Sequence, residues 1–242
     1  MQVKDKIVLV TGSNRGIGKA LVAELLSRGV QKVYAAARNT NSLPDFGDDR
    51  VVPLQLDVTN KAHIKAATES ASDIDMLINN AGVLYMANSL EGDVAQIEND
   101  MRVNYFGTLD MMRAFAPVLE KKGKAAIANV ASIASFITFP DLDGYCASKA
   151  ALYAITQSAR ITLAPKGIDV HSINPGPIDT DMAKDLHMDK TSTEVTAKNI
   201  LDGIEANEPD IFPDDASKGM FSEWKNDYRA MEKAFAEEAK AA

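Results

Sequence analysis

Six short apolar runs, at 6–10, 32–37, 51–56, 75–79, 125–130 and 168–173, punctuate the chain. Between them lie longer segments whose apolar residues recur at helical spacing. The runs are rich in Val, Ile, Leu and Ala, as strands buried on both faces are. The helical patterns cover 17–28, closed by Gly29, 61–71, 96–122, closed by Gly123, and 147–164, followed by Pro165. This alternation predicts βαβ units and an α/β fold with a doubly wound parallel sheet. Pro53 lacks a ladder donor, so the third run belongs at a sheet edge, where the strand order 3-2-1-4-5-6 puts it. No repeat or flexible linker divides the chain, which predicts one domain over 1–215. Residues 216–242 form a helical extension, because Met220, Trp224, Tyr228, Met231 and Phe235 recur at helical spacing from near Ser217. That stripe is expected to pack on the domain or at an interface.

Composition narrows the function. At 242 residues and 46% apolar content, the chain builds a single core without external staples. Its one cysteine, Cys146, excludes an intrachain disulfide and a Cys-rich zinc site and suits a reducing cytoplasm. The apolar run from Ile7 to Val10 is too short for a secretory signal or a membrane span, so a cytoplasmic protein without a membrane partner is expected. The net charge is −8, and 181–242 alone holds 15 acidic against 8 basic side chains, which disfavours a nucleic-acid partner. His63, His171 and His187 are scattered without paired ligand spacing, so no metal site is expected.

Directly after the first strand comes Thr11-Gly12-Ser13-Asn14-Arg15-Gly16-Ile17-Gly18, whose last glycine opens a helical pattern. Glycines there let the backbone turn tightly and approach a pyrophosphate seated at a helix amino terminus. Further motifs follow in order: Asn79-Asn80-Ala81-Gly82, Asn104, Ser132, Tyr145-Cys146-Ala147-Ser148-Lys149 and Pro175-Gly176. Together, from about residue 5 to 180, the sequence resembles the classical short-chain dehydrogenase/reductase family, whose fold is the Rossmann fold. The resemblance implies a nicotinamide dinucleotide held by Gly12, Ser13, Asn14, Arg15, Gly16, Ile17 and Gly18. It also implies that Asp57 and Val58 meet the adenine, although Asp57 equally suits a turn cap. Asn80, Ala81 and Gly82 would line the adenosine ribose side, and Pro175, Gly176, Ile178 and Thr180 would flank the nicotinamide. At the end of the second strand Ala35-Ala36-Ala37-Arg38 has no acid to bond a ribose 2′-hydroxyl. Arg38 and Arg15 together favour the 2′-phosphate of NADPH over NADH.

Tyr145 and Lys149 stand four residues apart, so on a helix they share a face, and an ammonium beside the phenol is expected to lower its pKa. The resemblance implies that Tyr145 exchanges a proton with the carbonyl or hydroxyl oxygen of the substrate and that Ser132 holds that oxygen. It further implies that Lys149 binds the nicotinamide ribose and that Asn104 holds a water of the proton relay. Substrate is expected among Leu84, Tyr85, Ala134, Phe136, Phe139, Leu142, Met182 and Leu186, a largely apolar set without arginine. The reading is therefore an NADPH-dependent carbonyl reductase or secondary alcohol dehydrogenase acting on a small neutral ketone, aldehyde or alcohol. Two alternatives are an NADP(H)-binding sensor with little turnover and an NAD-dependent alcohol dehydrogenase. The joint presence of Asn104, Ser132, Tyr145 and Lys149 argues against the first. A homo-oligomer, dimer or tetramer, is expected from the resemblance, although Asp210-Ile-Phe-Pro213 replaces the long last strand usual in similar chains.

Overall fold

The computed structural model describes residues 1–185 and 188–241. Seven parallel strands form one sheet in the order β3-β2-β1-β4-β5-β6-β7. They are β1 (Ile7–Thr11), β2 (Lys32–Ala37), β3 (Val51–Gln55), β4 (Met76–Asn79), β5 (Ala125–Val130), β6 (Ile168–Ile173) and β7 (Asp210–Ile211). β3 is the edge strand, with Pro53 opposite Ala35. β7 is only two residues long, because Pro213 ends the ladder.

Period-two alternation divides the strands between two helical layers. Val8, Val10, Met76 and Ile78 face α1 (Gly16–Ser27) and α6 (Thr193–Glu205), meeting Leu21, Leu25, Ile200 and Ile204. Leu9, Leu77 and Ile127 face the other way, onto Phe115 and Leu119 of α4 (Thr108–Glu120), Ile64 of α2 (Lys61–Ser70) and Leu163 of α5 (Asp143–Leu163). Because all the strands run parallel, their carboxyl ends lie on one side of the sheet, and the loops after β1, β4, β5 and β6 converge there.

Two regions depart from expectation. The helical pattern at 96–122 is three pieces: α3 (Val94–Asp100), a π-helical turn (Met101–Gly107) and α4. The wider turn re-aims the side chains of its residues, among them the buried Asn104. The final helix, α7 (Asp215–Ala241), breaks at Asp227 (φ −157°, ψ 84°), so the stripe does not run continuously and Tyr228 is exposed. Upstream of the break, Trp224 and Phe221 pack on Phe136, with ring centroids 5.5 Å and 4.7 Å away, and Tyr153 closes on Phe136 at 4.6 Å. Phe136, expected in the substrate wall, therefore anchors α7. Replacing Phe136 with alanine should cost about 2–3 kcal/mol, less than the ~3–5 of a fully enclosed phenylalanine because the ring is half-buried. Urea unfolding measures the loss, and accelerated amide exchange confined to α7 identifies its origin.

Candidate active site

The loop between β1 and α1 is shaped by its glycines. Gly12 and Gly16 adopt left-handed backbone (φ +69° and +54°), and a Cβ on Gly18 would lie 2.2 Å from the Gly12 carbonyl oxygen. The Ser13 hydroxyl donates to the Val10 carbonyl at 2.8 Å, and the Asn80 amide donates to the Thr11 and Gly12 carbonyls at 2.9 and 3.2 Å. Asn80 thus braces the glycine loop from β4. Its own N–H and that of Ala81 both donate to the Thr11 hydroxyl at 2.9 Å. The first turn of α1 has no side-chain cap and no acidic residue, which leaves its N–H groups for an anion and fits a pyrophosphate. Asn14 and Ile17 flank this cradle, and a Cβ on Gly16 would stand 3.2 Å from Cγ2 of Thr180, so the loop after β6 closes it.

Two arginines border the cradle. Arg38 is exposed at the end of β2 and contributes to holding the Asp57 carboxyl below its usual range. Burial opposes that shift on Asp57, whereas the Thr59 hydroxyl and N–H reinforce it, both donating to the same oxygen at 2.7 and 2.9 Å. That oxygen serves a turn, as the capping alternative expected. Val58 is buried and would be touched at 2.8 Å by a Cβ on Gly107. Arg15 pairs with Asp181 at 3.2 Å, both side chains about two-thirds exposed, so the guanidinium can exchange partners at little cost.

α5 carries the tyrosine and the lysine of the sequence motif. Tyr145 and Lys149 are both buried, with the Lys149 Nζ 5.5 Å from the tyrosine ring centroid and donating to the Val130 carbonyl at 2.8 Å. Burial pushes the Tyr145 phenol up to about 12, and the Ser132 hydroxyl opposes this only in part. The expected lowering of the phenol by Lys149 is therefore overturned: the lysine is itself driven down to about 8 by burial. Ser132 lies at the end of β5, where its hydroxyl accepts from the Ala134 N–H at 3.1 Å and donates to the Pro175 carbonyl at 3.5 Å. The Asn104 carbonyl oxygen accepts from the Val83 N–H at 2.9 Å, and its amide donates to the Val83 carbonyl and the Ser148 hydroxyl, each at 2.9 Å. Gly82 is closely approached, since a Cβ there would sit 3.1 Å from Asn104 Oδ1 and 3.6 Å from Lys149 Nζ.

Leu84, Ala134, Phe139 and Leu142 cluster with Tyr145 and Cys146 into an apolar wall. Tyr85 is occupied, its hydroxyl accepting from the Asn99 amide at 2.8 Å, and Met182 is largely exposed. Leu186 and His187 lie outside the described residues. Among the described residues no group of three His, Cys, Asp or Glu side chains could hold a metal, and no helix is long and apolar enough to cross a membrane.

Four residues to which the sequence reading gave no role take part. Ser148 joins Asn104 to the Tyr145 carbonyl, to which its hydroxyl donates at 2.7 Å. Asp214 accepts from the Gly176 N–H through one oxygen and from the Ser217 N–H through the other, both at 2.8 Å. It ties α7 to the Pro175-Gly176 loop, and the helix-cap pattern of an aspartate before Ser217 was the available signal. Further on, Thr191 bonds to both sides of Ile178, through the Asp179 N–H at 2.9 Å and the Pro177 carbonyl at 3.1 Å. The fourth, Asp100, is a fully buried carboxyl at the end of α3.

The family model for short chain dehydrogenases matches residues 6–191. An oxidoreductase of Staphylococcus epidermidis is 33% identical over 210 residues, covering 84% of this chain and 90% of that protein. One from Staphylococcus aureus is 35% identical over 184 residues, covering 73% and 79%. A short chain dehydrogenase of Burkholderia cenocepacia, solved in complex with NADP, superposes with a TM-score of 0.93 at 37% identity, covering 97% of this chain and 99% of that one.

Proposed function

The chain belongs to the short-chain dehydrogenase family of oxidoreductases, and from that premise we propose that it reduces a small uncharged ketone or aldehyde with NADPH, reversibly, through Tyr145. The observation that carries this reading is the pair Tyr145 and Lys149, buried together between a glycine cradle and an apolar wall. When bound, the nicotinamide cofactor supplies the hydride to the carbonyl carbon or accepts it from the alcohol.

The chain's own residues do the rest. The N–H groups opening α1 and the loop from Gly12 to Gly18 hold the pyrophosphate. Arg38, with Arg15 released from Asp181, neutralises the 2′-phosphate, as the NADP in the Burkholderia relative supports. Asp57 and Val58 meet the adenine, while Asn80, Ala81 and Gly82 line the ribose side. Pro175, Gly176, Ile178 and Thr180 fix the nicotinamide face, with Asp214 holding the Gly176 N–H from behind. Tyr145, protonated at neutral pH because of its burial, gives its hydroxyl proton to the substrate oxygen, and Ser132 hydrogen-bonds the same oxygen. Lys149 binds the nicotinamide ribose and restores the phenol's proton. Asn104 steadies the relay through Ser148 and Val83. The apolar wall lacks an arginine, so a carboxylate substrate finds no partner there.

Oxidation of NADPH and of NADH, followed by absorbance against neutral and acidic carbonyl compounds, tests the proposal. Turnover with NADPH on neutral ketones or aldehydes is expected. Tight NADPH binding without turnover on any compound would favour a sensor.

A further inference from the structure

Asp100 is the one acidic side chain among the described residues that is fully enclosed with no hydrogen bond to either oxygen. A lone carboxylate in such a place loses its hydration without compensation, at a cost of several kcal/mol. Its neighbours show what it is for. It ends α3, directly before the π-helical turn that carries Asn104, and α3 packs on α5. The π-helical turn that follows it packs on α5 as well, and a Cβ on Gly82 would lie 3.1 Å from Asn104 Oδ1 and 3.6 Å from Lys149 Nζ, which puts this turn beside the lysine. The Asp100 charge acts on Lys149, Tyr145 and Cys146, while the Tyr85 N–H draws the carboxyl down without forming a well-aligned hydrogen bond. Asp143 acts on Cys146 from the far side. Lys149 donates to one carbonyl, that of Val130, and Asp100 is the charge that counters its burial. Each charge acts on the other without a direct ion pair between them.

We propose that Asp100 is the buried counter-charge that keeps the Lys149 ammonium protonated at neutral pH, a positioning residue that acts on the reaction through Lys149. The inference rests on the proposed role of Tyr145 and Lys149. The carboxyl itself is raised to about 7 by its burial, so as pH rises it gains its charge before the ammonium, driven down to about 8, loses its own, and the two titrations are coupled. A neutral amine at Lys149 neither stabilises a phenolate nor returns a proton to it. Activity that needs the ammonium is present below the pKa of Lys149 and fades as pH rises through it. Removing the negative partner leaves desolvation unopposed and moves that fall to lower pH.

The test is Asp100→Asn, which conserves shape, with Asp100→Glu as the conservative variant. For carbonyl reduction, the alkaline limb of kcat/KM should move to lower pH by about one unit or more in Asp100→Asn, a tenfold loss on the alkaline side. Asp100→Glu should restore it. A packing defect would lower kcat at every pH and leave the limb in place, and a limb unmoved in Asp100→Asn would overturn the proposal.

A second readout needs no turnover. The folded-state pKa of Asp100 lies above its unfolded value, so its contribution to stability is full below about 4 and is lost as pH rises through about 7. The unfolding midpoint of wild type relative to Asp100→Asn should therefore fall across that window. A constant difference would also overturn the proposal. A wild type that shows the stability change and no turnover on any carbonyl would instead overturn the functional reading on which the role at Lys149 depends.

Discussion

Tyr145→Phe lowers kcat for carbonyl reduction by about a hundred- to ten-thousandfold, the range a positioned general acid contributes, and leaves NADPH affinity nearly unchanged. The change removes one oxygen and keeps the ring, which packs among Ala134, Leu142 and Cys146. Stability and the glycine cradle are thus untouched. What is lost is the proton donor. Burial holds the phenol up at about 12, so in wild type it is protonated throughout the working range and its own titration does not shape the neutral pH profile. The profile instead follows Lys149, whose ammonium is driven down to about 8, and reduction is expected to fall as pH rises through that value. Steady-state kinetics across pH, with fluorescence titration of NADPH into both proteins, measures each part. Unchanged turnover in the phenylalanine variant would remove Tyr145 from the mechanism.

Arg38→Asp is expected to lower the ratio of kcat/KM for NADPH to that for NADH by about a hundredfold. A charge-assisted hydrogen bond contributes about 1.5–3 kcal/mol, and the new carboxylate adds repulsion of the 2′-phosphate while offering an acceptor to the 2′-hydroxyl of NADH. Arg38 is exposed at the carboxyl end of β2, and none of the ion pairs formed among the described residues uses it, so the fold does not depend on it. Asp57 feels its charge, which makes Asp57 the acid that competes with the cofactor for Arg38. An unchanged ratio would move the 2′-phosphate site elsewhere, with Arg15 the next residue to replace.

The sheet was legible because parallel strands covered on both faces leave uninterrupted apolar runs, and β2, β5 and β6 begin and end where those runs do. Pro53 marked the edge for a chemical reason, its missing donor. The glycine loop and the Tyr145–Lys149 spacing were legible too, since both are local. What the sequence concealed is non-local. Nothing in the composition of 96–122 announces an i to i+5 turn at Met101–Gly107, because its sequence is as helical as its flanks. Phe136 is as apolar as Phe139, and only the return of α7 over the turn after β5 decides that the first meets Phe221 and Trp224 while the second lies between Phe235 and the Tyr145 cluster. Helix α6 was not among the predicted helices, although Ser192 caps it, its hydroxyl accepting from the Val195 N–H at 3.3 Å, and Ala197, Ile200, Leu201 and Ile204 recur at helical spacing, so its signal was present in the sequence and went unread. Asp100 follows Glu98 and Asn99 and looks like part of a solvated stretch. Its burial comes from packing against α5. The phenol pKa was misjudged for the same reason, since charge spacing is visible in sequence and desolvation is not.

The central claim is that this chain transfers hydride between NADPH and a carbonyl carbon with Tyr145 as the proton donor. NADPH carrying deuterium at the transferable C4 position, incubated with the wild type and a neutral ketone, tests it by mass spectrometry of the product alcohol. The account predicts one deuterium on the carbinol carbon, on a single face, formed by the wild type and essentially not by Tyr145→Phe. An alcohol without deuterium, or labelled equally by both proteins, would contradict it.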